Sequence, residues 1–247
     1  MSGHNKWSKI KRTKGALDAK RGMLFSRFSK EIALAAKAGG SDPGTNHRLR
    51  AAIDLAKEQS MPSDNIERAI KRGSGELAGA AVIEETVYEG YAPGGVALLI
   101  EVATDNRNRT AADLRSIFTK KGGSFASSGS VAYLFHRKGH IVLNSSDEEK
   151  IFETALDAGA EDIERDEDDA SFLVITPPDK LYAVATALIN AGLAPESQKL
   201  EYVPENHISV TDERTAHQIL ELVETLENCD DVMAVHPNAD IPDEFLS

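Results

Sequence analysis

The sequence predicts an α+β multidomain protein: an N-terminal three-helix bundle with a basic arm, followed by two ferredoxin-like α/β domains, one inserted into the other. Three observations lead there. Up to Arg72 the apolar residues recur at helical spacing, and from Glu84 the period shortens to that of strands. Between Gly139 and Val203 the elements run β-α-β-β-α-β, and a strand, a helix and a strand are left over after them. The arm and bundle are expected over 1–75, a discontinuous α/β domain over 84–137 plus 205–247, and the inserted domain over 138–204. The ends of an inserted domain lie close together, which permits this arrangement. Three domains strung out in order are the alternative.

The first helix is expected from Ala16 to Lys37. Leu17, Leu24, Phe28, Ile32 and Ala35 form its core stripe, with Lys20, Arg27, Lys30 and Lys37 on another face. Gly39-Gly40 ends it and Asp42-Pro43-Gly44 turns the chain. A second helix, His47 to Gln59, has Asn46 as its N-cap and Leu49, Ile53 and Ala56 inward. A third runs from Pro62 to Arg72, with Ile66 and Ile70 inward and Gly73 after it. Residues 74–83 are small and mixed, as in a linker.

Strands follow at Glu84–Tyr91 and Val96–Ala103, joined at Pro93-Gly94-Gly95. The second is continuously apolar, so it is expected at the centre of its sheet. Thr110 to Asp113 has a capping-box pattern, opening a helix that reaches Lys121, and Val131–Phe135 is expected as a third strand. In the inserted unit a hairpin is expected at Arg137-Lys138-Gly139, a strand at Gly139–Asn144 and a capping box at Ser146 to Glu149. A helix with Ile151, Phe152, Ala155 and Leu156 on its core face comes next. Strands near 162–165, 172–176 and 199–203 and a helix near 179–191 complete it. His207–Val210, Asp212–Glu227 and Val232–Val235 then return as strand, helix and strand to the earlier sheet.

Charge is distributed unevenly. The formal net charge is −12 and the pI about 5.1, yet Lys and Arg number sixteen against seven acids up to Arg72, and twelve against thirty-three after it. A basic head attracts a polyanion by counterion release while an acidic body repels it, so nucleic acid is expected at the head. The residues predicted to bind it are Lys6, Trp7, Lys9, Lys11, Arg12, Lys14, Lys20, Arg21, Arg27 and Lys30. Trp7, the single tryptophan, either stacks on a base or pins the arm to the bundle. The bland reading of the same charges is a solvated helical face with a disordered tail.

A second candidate is an anion site at Asn106, Arg107, Asn108 and Arg109, just before a helix N-terminus, where backbone N–H groups and the helix dipole favour negative charge. Bridging of Arg107 and Arg109 to acids between domains is the competing reading. Catalytic signals are absent. One cysteine, Cys229, permits no internal disulfide, the seven histidines have no metal-ligand spacing, and no nucleotide-binding loop or nucleophile elbow occurs. No catalytic residue, metal or cofactor is predicted, and a soluble, cytoplasmic protein without membrane contact is expected. The candidate strands Val96–Ala103 and Ser171–Thr176 carry only Phe172 as an aromatic, so these domains are expected to meet protein, or to support the head, rather than bind RNA.

GHNKWSKIK, DAKRGMLFSRFSKEI, AAKAGGSDP, LRAAIDLAKEQSMPSDNIERAIKRG, YEGYAPGGVALLIEVATDNRNRTAADLRSIFTKKGG and GSVAYLF resemble the YebC/PmpR family. The match is dense over residues 3–137 and looser beyond. The resemblance implies a helical bundle and two α/β domains, one inserted in the other. It also implies a non-enzymatic regulator of gene expression: a DNA-binding transcriptional regulator or, as in other members, a factor on the ribosome that helps translation through consecutive prolines. The partners would then be DNA, or ribosomal RNA and tRNA with ribosomal proteins against the acidic domains. For DNA, the break at Ser60-Met61-Pro62 resembles a helix-turn-helix, with Asn65, Arg68, Lys71 and Arg72 on the reading helix. A protein-binding adaptor and an enzyme acting through Asn106 to Arg109 are the hypotheses of other classes.

Overall fold

The computed structural model describes residues 19–145, 147–166 and 171–246. It divides into two compact units, Met1–Leu134 with Asn206–Ser247, and Phe135–Glu205. No helix among the described residues is long and apolar enough to cross a membrane.

The first unit begins with helices α1 (Ala19–Gly39), α2 (His47–Glu58) and α3 (Ser63–Ser74). Their core is built on Ile32, Ala35, Leu49, Ile53, Ala56 and Ile66, with Phe28 partly buried against it; Leu24 faces solvent instead. Leu17 lies outside the described residues. Asn46 caps α2 by accepting from Leu49 N, and its buried amide also donates to Ala35 O and Gly40 O at 2.8 Å, fastening the end of α1 to the start of α2. The third helix runs past the expected stop. Gly73 lies inside α3, where a Cβ would meet Ala33 O at 2.1 Å, so it is the crossing point of α1 and α3. Gly75, with φ of 82°, ends the helix in the left-handed region instead.

Strands β1 (Glu84–Tyr91) and β2 (Ala97–Thr104) form an antiparallel hairpin in register from Glu84 with Thr104 to Tyr91 with Ala97. Then come α4 (Arg107–Lys120) and β3 (Ser124–Ala126). The expected third strand at Val131–Phe135 is replaced by β3, which pairs with β1. The buried Glu89 carboxylate accepts from the N–H groups of Gly129, Val131 and Ala132, so that segment folds around a side chain and not along a strand. Burial alone would raise the Glu89 pKa, but those donors hold it below the usual carboxylate value.

The inserted unit contains β4 (Phe135–Asn144), α5 (Glu148–Asp157), β5 (Asp162–Asp166), β6 (Ser171–Thr176), α6 (Leu181–Asn190) and β7 (Ser197–Pro204). Its all-antiparallel sheet has the order β5-β6-β4-β7, that of the ferredoxin-like unit. The hairpin expected at Arg137-Lys138-Gly139 is instead continuous strand, paired with β7 from Phe135 to Val142. Gly139 serves close approach: a Cβ there would meet Thr176 Oγ1 at 2.3 Å. Asp147 caps α5, while Ser146, the expected start of the capping box, lies outside the described residues; Ile151 and Ala155 carry the core face, and Phe152 and Leu156 are exposed.

Back in the first unit, β8 (Ile208–Ser209), α7 (Glu213–Glu227), β9 (Val232–Pro237) and β10 (Ala239–Asp240) complete the chain. Strand β9 joins β2, giving the order β3-β1-β2-β9, so β2 is central as its apolar run predicts. The expected strand at His207–Val210 does not enter this sheet; β8 pairs in parallel with β10 as a separate ribbon. This sheet shares the two-layer build of the inserted unit, with α4 and α7 packed on it, but its central hairpin gives it a different chain path. Leu98, Ile100 and Val102 of β2 meet Leu114 and Phe118 of α4 and Leu222 of α7 in one buried core.

Gly73→Ala is expected to destabilise the protein by about 1–3 kcal/mol, because helix backbone must shift to admit the methyl group. Gly22→Ala, in α1 with nothing within 4 Å of a new Cβ, is expected to raise stability by about 0.5–1 kcal/mol. Thermal unfolding followed by circular dichroism reads both.

Candidate nucleic-acid interface

Six of the predicted nucleic-acid ligands, Lys6, Trp7, Lys9, Lys11, Arg12 and Lys14, lie outside the described residues. Lys20 and Arg21 are in the first turn of α1. The remaining two, Arg27 and Lys30, face another part of the same unit. Arg27 Nη2 donates to Glu227 O at the C-terminal end of α7, where the helix dipole favours a cation. Lys30 Nζ donates to Asp230 O at 2.6 Å and to Asp231 Oδ1 at 2.8 Å.

Asp231 is the centre of this contact. Its carboxylate, only 13% exposed, accepts from Lys30 through Oδ1, and its Oδ2 accepts from Thr104 at 3.2 Å, Arg109 at 3.0 Å and Thr110 at 2.7 Å. Arg109 also reaches Asp105 at 3.1 Å. Asn106 is the N-cap of α4, accepting from Arg109 N, so the cap lies four residues before the expected box at Thr110. Arg107 pairs with Glu84 at 2.9 Å. Both arginines of the candidate anion site therefore face carboxylates, and the Asn106–Arg109 turn has the geometry of a clamp between α1, β2, α4 and the start of β9.

Further pairs tie the bundle to the α/β part of the unit. Arg48 bridges Glu31 and Glu85, Lys37 donates to Ile83 O at 3.1 Å, and Arg72 donates to Ala81 O at 3.0 Å and Asp105 at 3.3 Å. Under them Ala33 and Leu34 of α1 pack with Ile83 and Ala103, with Met233 beside them. Much of the cationic stripe on α1 is thus an internal docking surface. Its sequence periodicity marked the stripe, but nothing local marked Asp231, two hundred residues away, as its partner.

Two cations of α3 are left facing outward. Arg68 and Lys71 are exposed and make no hydrogen bond or ion pair among the described residues. Arg68 borders a cleft of about 580 Å³ between α1 and α3. Phe25, Ser26 and Ser29 form one wall, Asn65 and Arg68 the other, and Leu77 of the following segment closes one side.

The Asp231 contact should show in acid. Burial would raise the Asp231 pKa, but the hydrogen bonds from Lys30, Thr110 and Arg109 hold it well below the usual aspartate value. A carboxyl depressed in the folded state contributes fully above its unfolded value and loses that contribution as pH falls below about 4. Asp231→Asn is expected to cost about 1–3 kcal/mol at pH 7. The difference from wild type should shrink as urea melts are repeated toward pH 3.

Comparison with known proteins agrees with this architecture. Residues 5–76 match the family model described as the TACO1/YebC protein N-terminal domain, and residues 83–239 match the TACO1/YebC second and third domain. A protein of Desulfatibacillum aliphaticivorans named "Probable transcriptional regulatory protein" is 53% identical over 100% of this chain and 99% of its own. One of Treponema denticola with the same name is 51% identical over 99% and 98%. The crystal structure of a conserved hypothetical protein from Aquifex aeolicus superposes with a TM-score of 0.84 at 44% identity, covering 95% of this chain and 96% of that one. With both family models matched in sequence order and relatives aligned from end to end, the chain belongs to the TACO1/YebC family.

Proposed function

We propose that this chain is a non-enzymatic nucleic-acid-binding regulator of gene expression that engages DNA through its N-terminal arm and bundle. The observation that carries this is the outward cationic edge of α3, where Arg68 and Lys71 have no partner among the described residues while Arg27, Lys30, Arg48 and Arg72 are matched to carboxylates or carbonyls. A guanidinium or ammonium left in solvent beside a concave surface is suited to phosphate. The names of the relatives from Desulfatibacillum aliphaticivorans and Treponema denticola point to the same class of role. The acidic remainder of the chain discourages contact elsewhere, which orients a polyanion toward the bundle and its arm.

One observation favours a second reading, an RNA-binding factor on the ribosome. Arg72 is drawn onto Ala81 O and Asp105, so the helix expected to read bases keeps Asn65 as its main base-reading side chain. Contact made mainly with phosphates and shape suits structured RNA as well as it suits duplex DNA. On the ribosome, the acidic domains would face basic ribosomal proteins.

Replacing Lys6, Lys9, Lys11 and Arg12 together with alanine is expected to weaken nucleic-acid binding and leave the melting temperature nearly unchanged. Each lost phosphate contact should reduce the salt slope by about 0.7 to 0.9. Sedimentation of lysate through a sucrose cushion at low and high salt separates the two targets: arm-dependent, salt-sensitive pelleting with ribosomes selects RNA. A supernatant protein that footprints on genomic DNA selects DNA. Unchanged binding with a drop of several degrees in melting temperature makes the arm a structural element and removes this proposal.

A further inference from the structure

We propose that the cleft between α1 and α3 is a pocket for one unstacked nucleotide of a single strand. This deepens the nucleic-acid assignment made above and rests on it. The space, about 580 Å³, falls within the range of pockets that enclose small organic ligands, about 300–1,000 Å³. Its lining separates into the three chemistries that a nucleotide presents.

For the base there are apolar side chains and hydrogen-bonding ones. Phe25, half-buried on α1, lines the cleft as its one aromatic side chain, and Leu77, Ala80 and Ala81 line it as aliphatic ones. Stacking on an aromatic side chain is indifferent to which base is present. The Asn65 side chain both donates and accepts, as the edge of every base requires, and the Ser26 and Ser29 hydroxyls do either. For the phosphate there is Arg68, whose guanidinium has no partner among the described residues. Arg72 lies on the same wall, its planar group held by Ala81 O and Asp105. The one carboxylate on the lining, Asp105, is shared with Arg109, so the mouth keeps an excess of positive charge.

Concavity decides between single and double strands. A base within a duplex is stacked on both faces and paired along its edge, so it cannot enter a recess between two helices. An unpaired base can, and it gains an aromatic contact in doing so. A free phosphate would engage Arg68 and leave the apolar walls wet. RNA and DNA single strands share the recognised chemistry and differ by the 2′-hydroxyl, so both are tested.

The experiment measures fluorescence anisotropy of labelled ten-nucleotide single strands, RNA and DNA, and of the matching duplexes, with the full chain at physiological salt. The variants are Arg68→Ala, Asn65→Ala and Ser26→Trp, the last filling the cleft. Lys71→Ala removes a neighbouring cation that does not line it. Wild type should bind single strands about tenfold tighter than duplex, the order expected for one stacked base. The three cleft variants should remove most of that preference, whereas Lys71→Ala should weaken single and double strands alike. The stronger of the RNA and DNA arms names the source. Equal affinity for single strands and duplex, or single-strand binding untouched by the cleft variants, overturns the pocket and leaves nucleic-acid binding standing. No binding of wild type to any of the four probes overturns the nucleic-acid assignment itself. Arg68 is exposed and has no partner among the described residues, so its alanine variant is expected to keep the fold even if Ser26→Trp does not.

Discussion

The carboxylate of Asp231 holds together segments that are far apart in the chain: Lys30 from α1, Thr104 at the end of β2, and Arg109 and Thr110 in the first turns of α4. A charge at 13% exposure is stable only when its lone pairs are met, and here four side chains meet them. Pairs such as Arg107 with Glu84, each about half exposed, contribute little by comparison. The bundle is therefore docked by one well-satisfied polar centre beside a small apolar cluster of Ala33, Leu34, Ile83 and Ala103. The first unit's α1–α3 and its sheet join at that centre.

This changes the meaning of the charge asymmetry in the sequence. A basic head on an acidic chain has two physical causes that composition cannot separate: attraction of an external polyanion, and attraction of the head to the rest of its own chain. Arg27, Lys30, Arg48 and Arg72 serve the second, through Glu227 O, Asp231, Glu85 and Asp105. Arg68 and Lys71 have no such partner among the described residues, which is why the proposed polyanion contact is assigned to them. Periodicity found all of these on helices, because periodicity reports which face a residue is on. It does not report what comes to cover that face.

The elements that the sequence made legible are those governed by local rules. The apolar run of β2, the Asn46 cap of α2 and the β-α-β-β-α-β order of the inserted unit each depend on neighbours within a few residues or on a repeating pattern. The misplacements have a common origin in long-range contact. Gly73 and Gly139 look like punctuation, yet each is a glycine because a distant atom lies where its Cβ would go. The segment Val131–Phe135 resembles a strand, yet its first two N–H groups, those of Val131 and Ala132, are taken by Glu89 some forty residues earlier. Likewise the α4 cap shifted to Asn106 because the Thr110 hydroxyl is committed to Asp231 and Thr104.

Arg72 belongs to both surfaces, since it borders the cleft and donates to Asp105 and Ala81 O. Asp105 in turn is shared with Arg109, which donates to Asp231. Cleft and docking centre are thus consecutive links of one charged chain, running Arg72, Asp105, Arg109, Asp231, Lys30. Hydrogen bonds to ionised groups are the stronger kind and depend on both partners keeping their places. An anion seated beside Arg68 adds negative charge at the Arg72 end of this chain, and whatever it does to the affinity of the bundle for the sheet, docking must do reciprocally to the affinity of the cleft for that anion. The residues that fix the bundle in place are therefore also those that set the electrostatic potential at the mouth of the cleft.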